Sequence, residues 1–361
     1  MKIANQNPYT SNQNKLPQTK FKGYAACPIK ELHVQPNYQK RFPSMISELN
    51  KKCGKYFKIV VQMMDRATTD IGNLNFKESN CVEGSTTFCW GQDNKLFFED
   101  GSLGVLMENQ KPDGAKKLAK QLGLTSRLIN LNIEGGNCFL GKKPNGENYA
   151  LVGADAIYKN KTTVAKSLNL KPENLYVISQ PDFHIDMVVR PLTYPYVLVG
   201  DHKLIKKMTK GNSLNHNQNK QLEQLEQSRD ETIKYCNYTP VDTVIDELKK
   251  QGFKPIRVPG MVGRNKASFM NAIVHQEPNG DLIYITNKTH LDKKLGINCE
   301  KIFEQDLKAK VPEIKEVIFI DGEGLIQDSL AIGNGENGGG IHCMTSERPD
   351  FKKWKMILNK Q

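Results

Sequence analysis

The chain has 361 residues, 38% of them apolar, and a formal net charge of +12. That is enough apolar material for a large core, but no apolar run approaches the roughly 20 residues that span a bilayer, so no membrane partner is expected. The positive charge is mostly lysine, spread along the chain among many asparagines and joined to no recognition motif, so no nucleic-acid partner is expected either.

Residues 1–20 are Asn, Gln, Lys and Pro with almost nothing apolar, and read as a disordered polar tail. They lack the apolar stretch of a secretory signal. Residues 21–361 read as one α/β domain. Eight cysteines are scattered without a CxxC pair, which argues against a structural zinc site and fits free thiols in the cytoplasm. No metal and no cofactor are implied.

From Phe21 onward one pattern recurs: helix, short β-rich run, loop with small residues, second β-rich run. The first unit has a helix over 44–52 and a strand over 57–63. A loop rich in Thr, Asn and Gly then leads to runs at 86–90 and 96–98. The second has a helix over 113–122, then strands at 128–133, 138–140 and 149–152. The third has a helix over 163–168, then strands at 175–179, 183–189 and 196–199. A polar insert at 210–229 follows, whose later part reads as an extension of the next helix; the Lys/Gln/Glu run over 206–229 reads most simply as a solvated helix and loop, or as a lid. The fourth has a helix over 241–250 and strands at 255–258, 269–275 and 282–286. The last has a helix over 300–310, a strand at 317–320 and a glycine-rich loop. Five recurrences of one supersecondary unit predict a repeat or propeller architecture.

The polar residues of chemical interest fall between these runs. Unit one offers Trp90-Gly91-Gln92-Asp93. Unit two offers Glu134-Gly135-Gly136-Asn137. Unit three offers His184-Ile185-Asp186. The last offers Gly338-Gly339-Gly340-Ile341-His342-Cys343. Glycines before Cys343 allow a positive φ or a close approach of other groups to the backbone. They make Cys343 a candidate nucleophile, provided its thiol is activated. On a strand, His184 and Asp186 would share a face. One Cys with one His is a nucleophile with an acid/base partner. The surplus carboxylates suit a cationic substrate with fixed N–H donors, as a guanidinium is. His342 reads as structural, because neighbours on extended chain point apart. Cys138 reads as a packed core thiol. The spelling Gly333-x-Gly335-x-x-Gly338 lacks the helix and acidic residue of a dinucleotide fingerprint and is set aside.

WGQD, EGGN, HIDMVVRPL and GGGIHCMTSERP, in that order, resemble the guanidino-group-modifying enzymes of the pentein superfamily, across roughly residues 55 to 349. That superfamily includes arginine, agmatine and peptidyl-arginine deiminases, dimethylarginine hydrolases and arginine amidinotransferases. The resemblance implies a five-bladed α/β propeller with pseudo-fivefold symmetry. It implies Cys343 as nucleophile and His184 as general acid/base. Asp93 and Asp186 become the guanidinium clamp, and Glu134 holds His184 or the substrate. It implies Trp90 as pocket wall, with Asn137 and Arg190 also at the substrate. Gln92 departs from the WxRD of the small-molecule deiminases and is closer to the peptidyl-arginine version. Arg257 and Arg264 are candidates for a substrate carboxylate, and each reads equally well as structural. The implied partner is a small-molecule or peptidyl guanidino compound. The implied reaction is deimination, with amidinotransfer or a non-catalytic binding role as the alternatives.

Overall fold

The computed structural model describes residues 26–34, 43–61, 95–97, 103–106, 123, 125–129, 135–157, 160–168, 170–209, 214–260, 268–288, 297–321, 340–342, 345–350, 352–353 and 356–357. The expected tail at 1–20, the run at 86–90 and the helix at 113–122 lie outside them.

Among the described residues the strands are β1 (Ile29–Val34), β2 (Lys58–Val61), β3 (Lys95–Phe97), β4 (Leu103–Leu106), β5 (Ser126–Ile129), β6 (Cys138–Lys142), β7 (Asn148–Gly153) and β8 (Leu175–Ile178). They continue as β9 (Val189–Pro191), β10 (Tyr196–Asp201), β11 (Lys254–Pro259), β12 (Ile273–Gln276), β13 (Leu282–Asn287), β14 (Ile314–Ile320) and β15 (Thr345–Pro349). The helices are α1 (Pro43–Cys53), α2 (Lys161–Ser167), α3 (Leu204–Thr209), α4 (His216–Tyr235), α5 (Val241–Lys250) and α6 (Cys299–Lys310).

These strands form five three-stranded sheets, in the orders β15-β1-β2, β3-β4-β5, β6-β7-β8, β9-β10-β11 and β12-β13-β14. Every sheet repeats one connection. An antiparallel pair is followed by a crossover to a third strand, parallel to the middle one. A parallel neighbour requires such a crossover, usually helical. α1 supplies it for the first sheet, α2 for the third, α3 to α5 for the fourth and α6 for the last.

The structure therefore changes the phase of the repeat. The strand after each helix closes the preceding sheet and does not open a new one. The first sheet is assembled from both ends of the described chain, with β15 antiparallel to β1. Two of the middle strands are enclosed: all six residues of β10 and of β13 are buried. Such strands read as continuous apolar runs without alternation.

Helix boundaries follow local chemistry. The Asn160 side chain accepts from Thr163 N at the start of α2, and Asn298 does the same from Lys301 N at the start of α6; both are ordinary N-caps. α5 carries Asp242 in its first turn and Lys249 and Lys250 in its last, matching the helix dipole. Gly252, at φ +87°, takes the chain out of it. Val244, Ile245 and Leu248 on its inner face pack with residues of β7 and β10, so one core joins the third and fourth sheets. Phe303 and Leu307 of α6 join the fourth and fifth through Leu198, Phe269 and Tyr284. Met45, Leu49 and Cys53 of α1 join the fifth to the first through Ile283, Ile318 and Leu32. Each large apolar side chain so buried contributes about 1.5–3 kcal/mol.

Two expected elements differ. The polar insert forms its own helix, α4, closed by a capping box between Asn215 and Gln218, and Pro240 then starts α5 anew. The expected strands at 183–189 and 269–275 begin late, at Val189 and Ile273. The residues ahead of them do something else.

Candidate active site

Four of the expected motifs stand at one topological position, just before the first strand of a sheet. WGQD precedes β3, EGGN precedes β6, HID precedes β9 and GGGIHC precedes β15. The remaining sheet supplies a segment that the motif reading passed over, residues 268–271, ahead of β12. The signal was available: the fourth unit alone lacked a polar loop, and Ser268 and Asn271 sit where that loop belongs. Asp93, Trp90, Glu134 and Cys343 lie outside the described residues. His184, Asp186, Asn137 and Arg190 lie within them.

Asp186 is fully buried and joins three segments. Its Oδ2 accepts from Nδ2 of Asn271 at 2.8 Å and from Nδ1 of His342 at 2.7 Å. Asn271 Oδ1 in turn accepts the backbone N–H of His342 at 3.0 Å, and Asn287 Oδ1 accepts that of Ile341 at 2.8 Å. Asn287 Nδ2 donates to the carbonyls of Ser268 and Asn271, and Ser268 Oγ donates to the Met187 carbonyl. These buried amides hold the backbone that leads into Cys343. Gly340 is required by close approach: a Cβ there would lie 2.3 Å from Asn271 Oδ1 and 2.7 Å from Asn287 Nδ2. The His342 carbonyl accepts from Thr345 N at 3.3 Å. The residues between are Cys343 and Met344.

His342 is thus part of the network, although its place beside Cys343 suggested a bystander. Burial pushes its pKa below the ordinary 6.5 and the Arg190 cation pushes the same way, against the pull of Asp186. The imidazole is neutral at neutral pH, and Nδ1–H donates to the carboxylate. Burial likewise lowers His202 and His275. A histidine lowered in the folded state contributes stability above its unfolded pKa and loses it as pH falls. The urea midpoint is therefore expected to fall as pH drops below about 6.5. His342→Gln should reduce that slope, and a midpoint flat between about pH 7 and about pH 5 would contradict it.

His184 does not share a strand face with Asp186. The chain is extended at His184 and then enters a 3-10 turn, Ile185–Met187, so the alternation of a strand does not apply. His184 is half-buried, with its ring 4.7 Å from that of Phe183. It faces the EGGN segment, whose Gly135–Asn137 form another 3-10 turn. A Cβ on Gly136 would stand 2.3 Å from His184 Nδ1, so the second glycine of that motif makes room for the imidazole. Asn137 is buried, and its Oδ1 accepts from Ile185 N at 3.0 Å and from Gln180 Nε2 at 2.8 Å. Asn137 therefore orients the His184 loop; no substrate role is needed to explain its burial. Gly136→Ala is expected to cost about 1–3 kcal/mol of stability through overpacking. A Gly136→Ala variant with an unchanged urea midpoint would contradict the close approach.

Arg190 is 1% exposed. Nη2 lies 3.3 Å from Glu347 Oε1, and the guanidinium lies over the Phe139 ring at 5.2 Å. Phe139 also touches the ring of His342, at 5.7 Å between centroids. The Arg190 charge thus acts on His342 from inside the core. Arg257 is ion-paired to Asp201 at 2.8 Å and also to Asp242; Arg264 lies outside the described residues. Burial pushes the Cys138 thiol up to about 12, so this neighbour of EGGN is inert. Among the described residues no group of His, Cys, Asp and Glu is arranged to hold a metal ion, and no helix is long and apolar enough to cross a membrane.

No protein-family model and no curated protein matches the chain. Solved structures do. Agmatine deiminase from C. jejuni superposes with a TM-score of 0.54 at 16% identity, covering 90% of this chain and 94% of that one. A substrate-bound variant of that deiminase gives 0.51 at 14% identity, with the same coverage. An amidinotransferase from Microseira wollei gives 0.50 at 11% identity, covering 92% of this chain and 98% of that one. At these identities what is shared is the fold.

Proposed function

We propose that this chain, which has the pentein fold, is a cysteine-dependent hydrolase of a guanidino group. In this reading its five sheets, packed pairwise through common cores, are the blades of a propeller formed by one domain over residues 21–361. The observation that carries it is the bond between Asp186 and His342 at 2.7 Å. It ties the loop of the acid/base candidate to the residue covalently joined to Cys343. Consecutive Cα atoms are about 3.8 Å apart, so whatever fixes His342 also fixes where Cys343 starts.

The roles follow from the chemistry of the residues. Asp93 and Asp186 bind the guanidinium nitrogens. Glu134 precedes the turn that packs on His184 and holds the imidazole or a substrate N–H. Trp90 walls the pocket. The bound cation lowers the cost of ionising the Cys343 thiol. The thiolate attacks the guanidinium carbon, and His184 gives its proton to one nitrogen, which leaves as ammonia. A thiouronium on Cys343 remains. His184 then takes a proton from water as the oxygen adds to the same carbon. Collapse breaks the C–S bond, restores the thiol and releases a ureido product. Arg190 and Asn137 are moved in this reading from substrate contact to support of His342 and His184. The proposed location is the cytoplasm.

The test is release of ammonia and ureido product from arginine, agmatine, dimethylarginine and an arginine-containing peptide. Turnover of one member names the substrate. In amidinotransfer the substituted amine leaves in place of ammonia, so Cys343 carries only the amidino group, which an acceptor amine then takes as the C–S bond breaks; turnover seen only after an acceptor such as glycine is added would establish it. No turnover with or without acceptor, together with no labelling of Cys343 by a thiol-reactive amidine, would overturn the enzyme reading in favour of a binding protein.

A further inference from the structure

Helix α4 belongs to the polar insert, and little apolar area holds it: Leu222 is buried and Leu225 partly so. Its ion pairs at the surface, Lys206 with Glu223 and Lys203 with Asp230, are exposed and weak contributors. The exception is Arg229. It lies 2.7 Å from Asp182 through Nη1 and Oδ2, with each side chain only 5% exposed. Nη2 of the same guanidinium donates to the Pro181 carbonyl at 3.0 Å. A buried pair of this kind is weak evidence for stability but fixes geometry, because either charge left alone is costly.

What the pair holds is the chain entering His184. Asp182 Oδ1 accepts the backbone N–H of Phe183 at 2.8 Å. The Asp182 carbonyl accepts from Gln180 Nε2 at 2.7 Å, and that same amide group reaches Asn137. At the other end, the Gln180 carbonyl accepts Thr239 N at 2.7 Å, from the connection between α4 and α5. Residues 180–183 are therefore clamped on one side by the EGGN turn and on the other by α4. The imidazole follows directly.

We infer that Arg229 is a positioning residue for His184, and that α4 serves the reaction by holding residues 181–183. This rests on the reading of His184 as the acid/base group. A planar fork is what reaches a carboxylate and a carbonyl together; an ammonium keeps the charge and loses the fork.

The test compares Arg229→Met, Arg229→Lys and the neutral double variant Asp182→Asn/Arg229→Met with the unaltered chain. Two measurements are made: steady-state kinetics on whichever guanidino compound the unaltered chain turns over, and amide hydrogen exchange in substrate-free protein. Arg229→Met is expected to lower kcat by about 10²-fold with KM nearly unchanged, and to speed exchange at Phe183 and Ile185 but not at Leu151 in β7. Arg229→Lys should recover part of kcat. The double variant leaves no buried charge, so it stays interpretable if Arg229→Met fails to fold, and it too should show the loss in kcat. Normal kcat and normal exchange at Phe183 in a folded variant lacking Arg229 would overturn the inference. If the unaltered chain turns over no guanidino compound, the functional reading has failed. The exchange data then still decide whether Arg229 holds the loop: unchanged protection refutes it.

Discussion

Cys343→Ala is expected to abolish turnover of any guanidino substrate the chain accepts. The loss should be at least the about 10²–10⁴-fold that removal of an acid/base group costs, because thiols buried in the core cannot substitute. Cys27 and Cys53 are buried in the core and raised by burial, Cys53 to about 12, and Cys138 is equally inert. The reaction also has a direct signature. A quenched reaction of the unaltered chain should carry a substrate-derived mass on the peptide containing Cys343, and Cys343→Ala should carry none. The alanine variant should keep the unaltered urea midpoint. Persistent turnover in that variant would refute thiol catalysis outright.

His184→Gln is the second large effect. Glutamine keeps the bulk against Phe183 and Gly136 but can neither give nor take a proton in the required range, so kcat should fall by about 10²–10⁴-fold. Both steps of the proposed reaction use the imidazole, the first to protonate departing ammonia and the second to activate water. The pH dependence of kcat owed to His184 should vanish with it. A variant that retains the full pH profile would show that another group carries the proton. His342 is the obvious rival by sequence, and its surroundings argue against it. It is 2% exposed, its Nδ1 is committed to Asp186, and burial and Arg190 hold it neutral.

Both expectations rest on motifs that were plain in the chain, and the structure gives several of their members neighbours other than those expected. His184 and Asp186 were read as partners on one strand face. They face different neighbours, because a 3-10 turn at Ile185–Met187 replaces the strand and a period of two no longer governs where side chains point. Asn137 and Arg190 were read toward the substrate. Their partners are Ile185 and Gln180 for one and Glu347 and Phe139 for the other, which supports the tasks proposed for them above. Asn271 and Asn287 carried no motif, being two asparagines in a chain rich in them. Only the approach of three separate segments makes their amide oxygens the acceptors for the backbone N–H groups ahead of Cys343.

The sequence by itself determined the repeat and suggested its chemistry. Five recurrences of apolar runs and helical patches demanded five small sheets. Gly-Gly, His-x-Asp and Gly-Gly-Gly…Cys named the groups that could handle a cation, because residue type and spacing are local properties. Tertiary structure alone decided the phase of the repeat and the pairing of its ends. Which strand a helix returns to, and that β15 meets β1, depend on contacts between residues hundreds of positions apart. It alone decided which polar groups are dry. Desolvation sets the neutral state of His342, the inertness of Cys138 and the cost of separating Asp182 from Arg229, and burial is a property of the assembled core that no single segment contains.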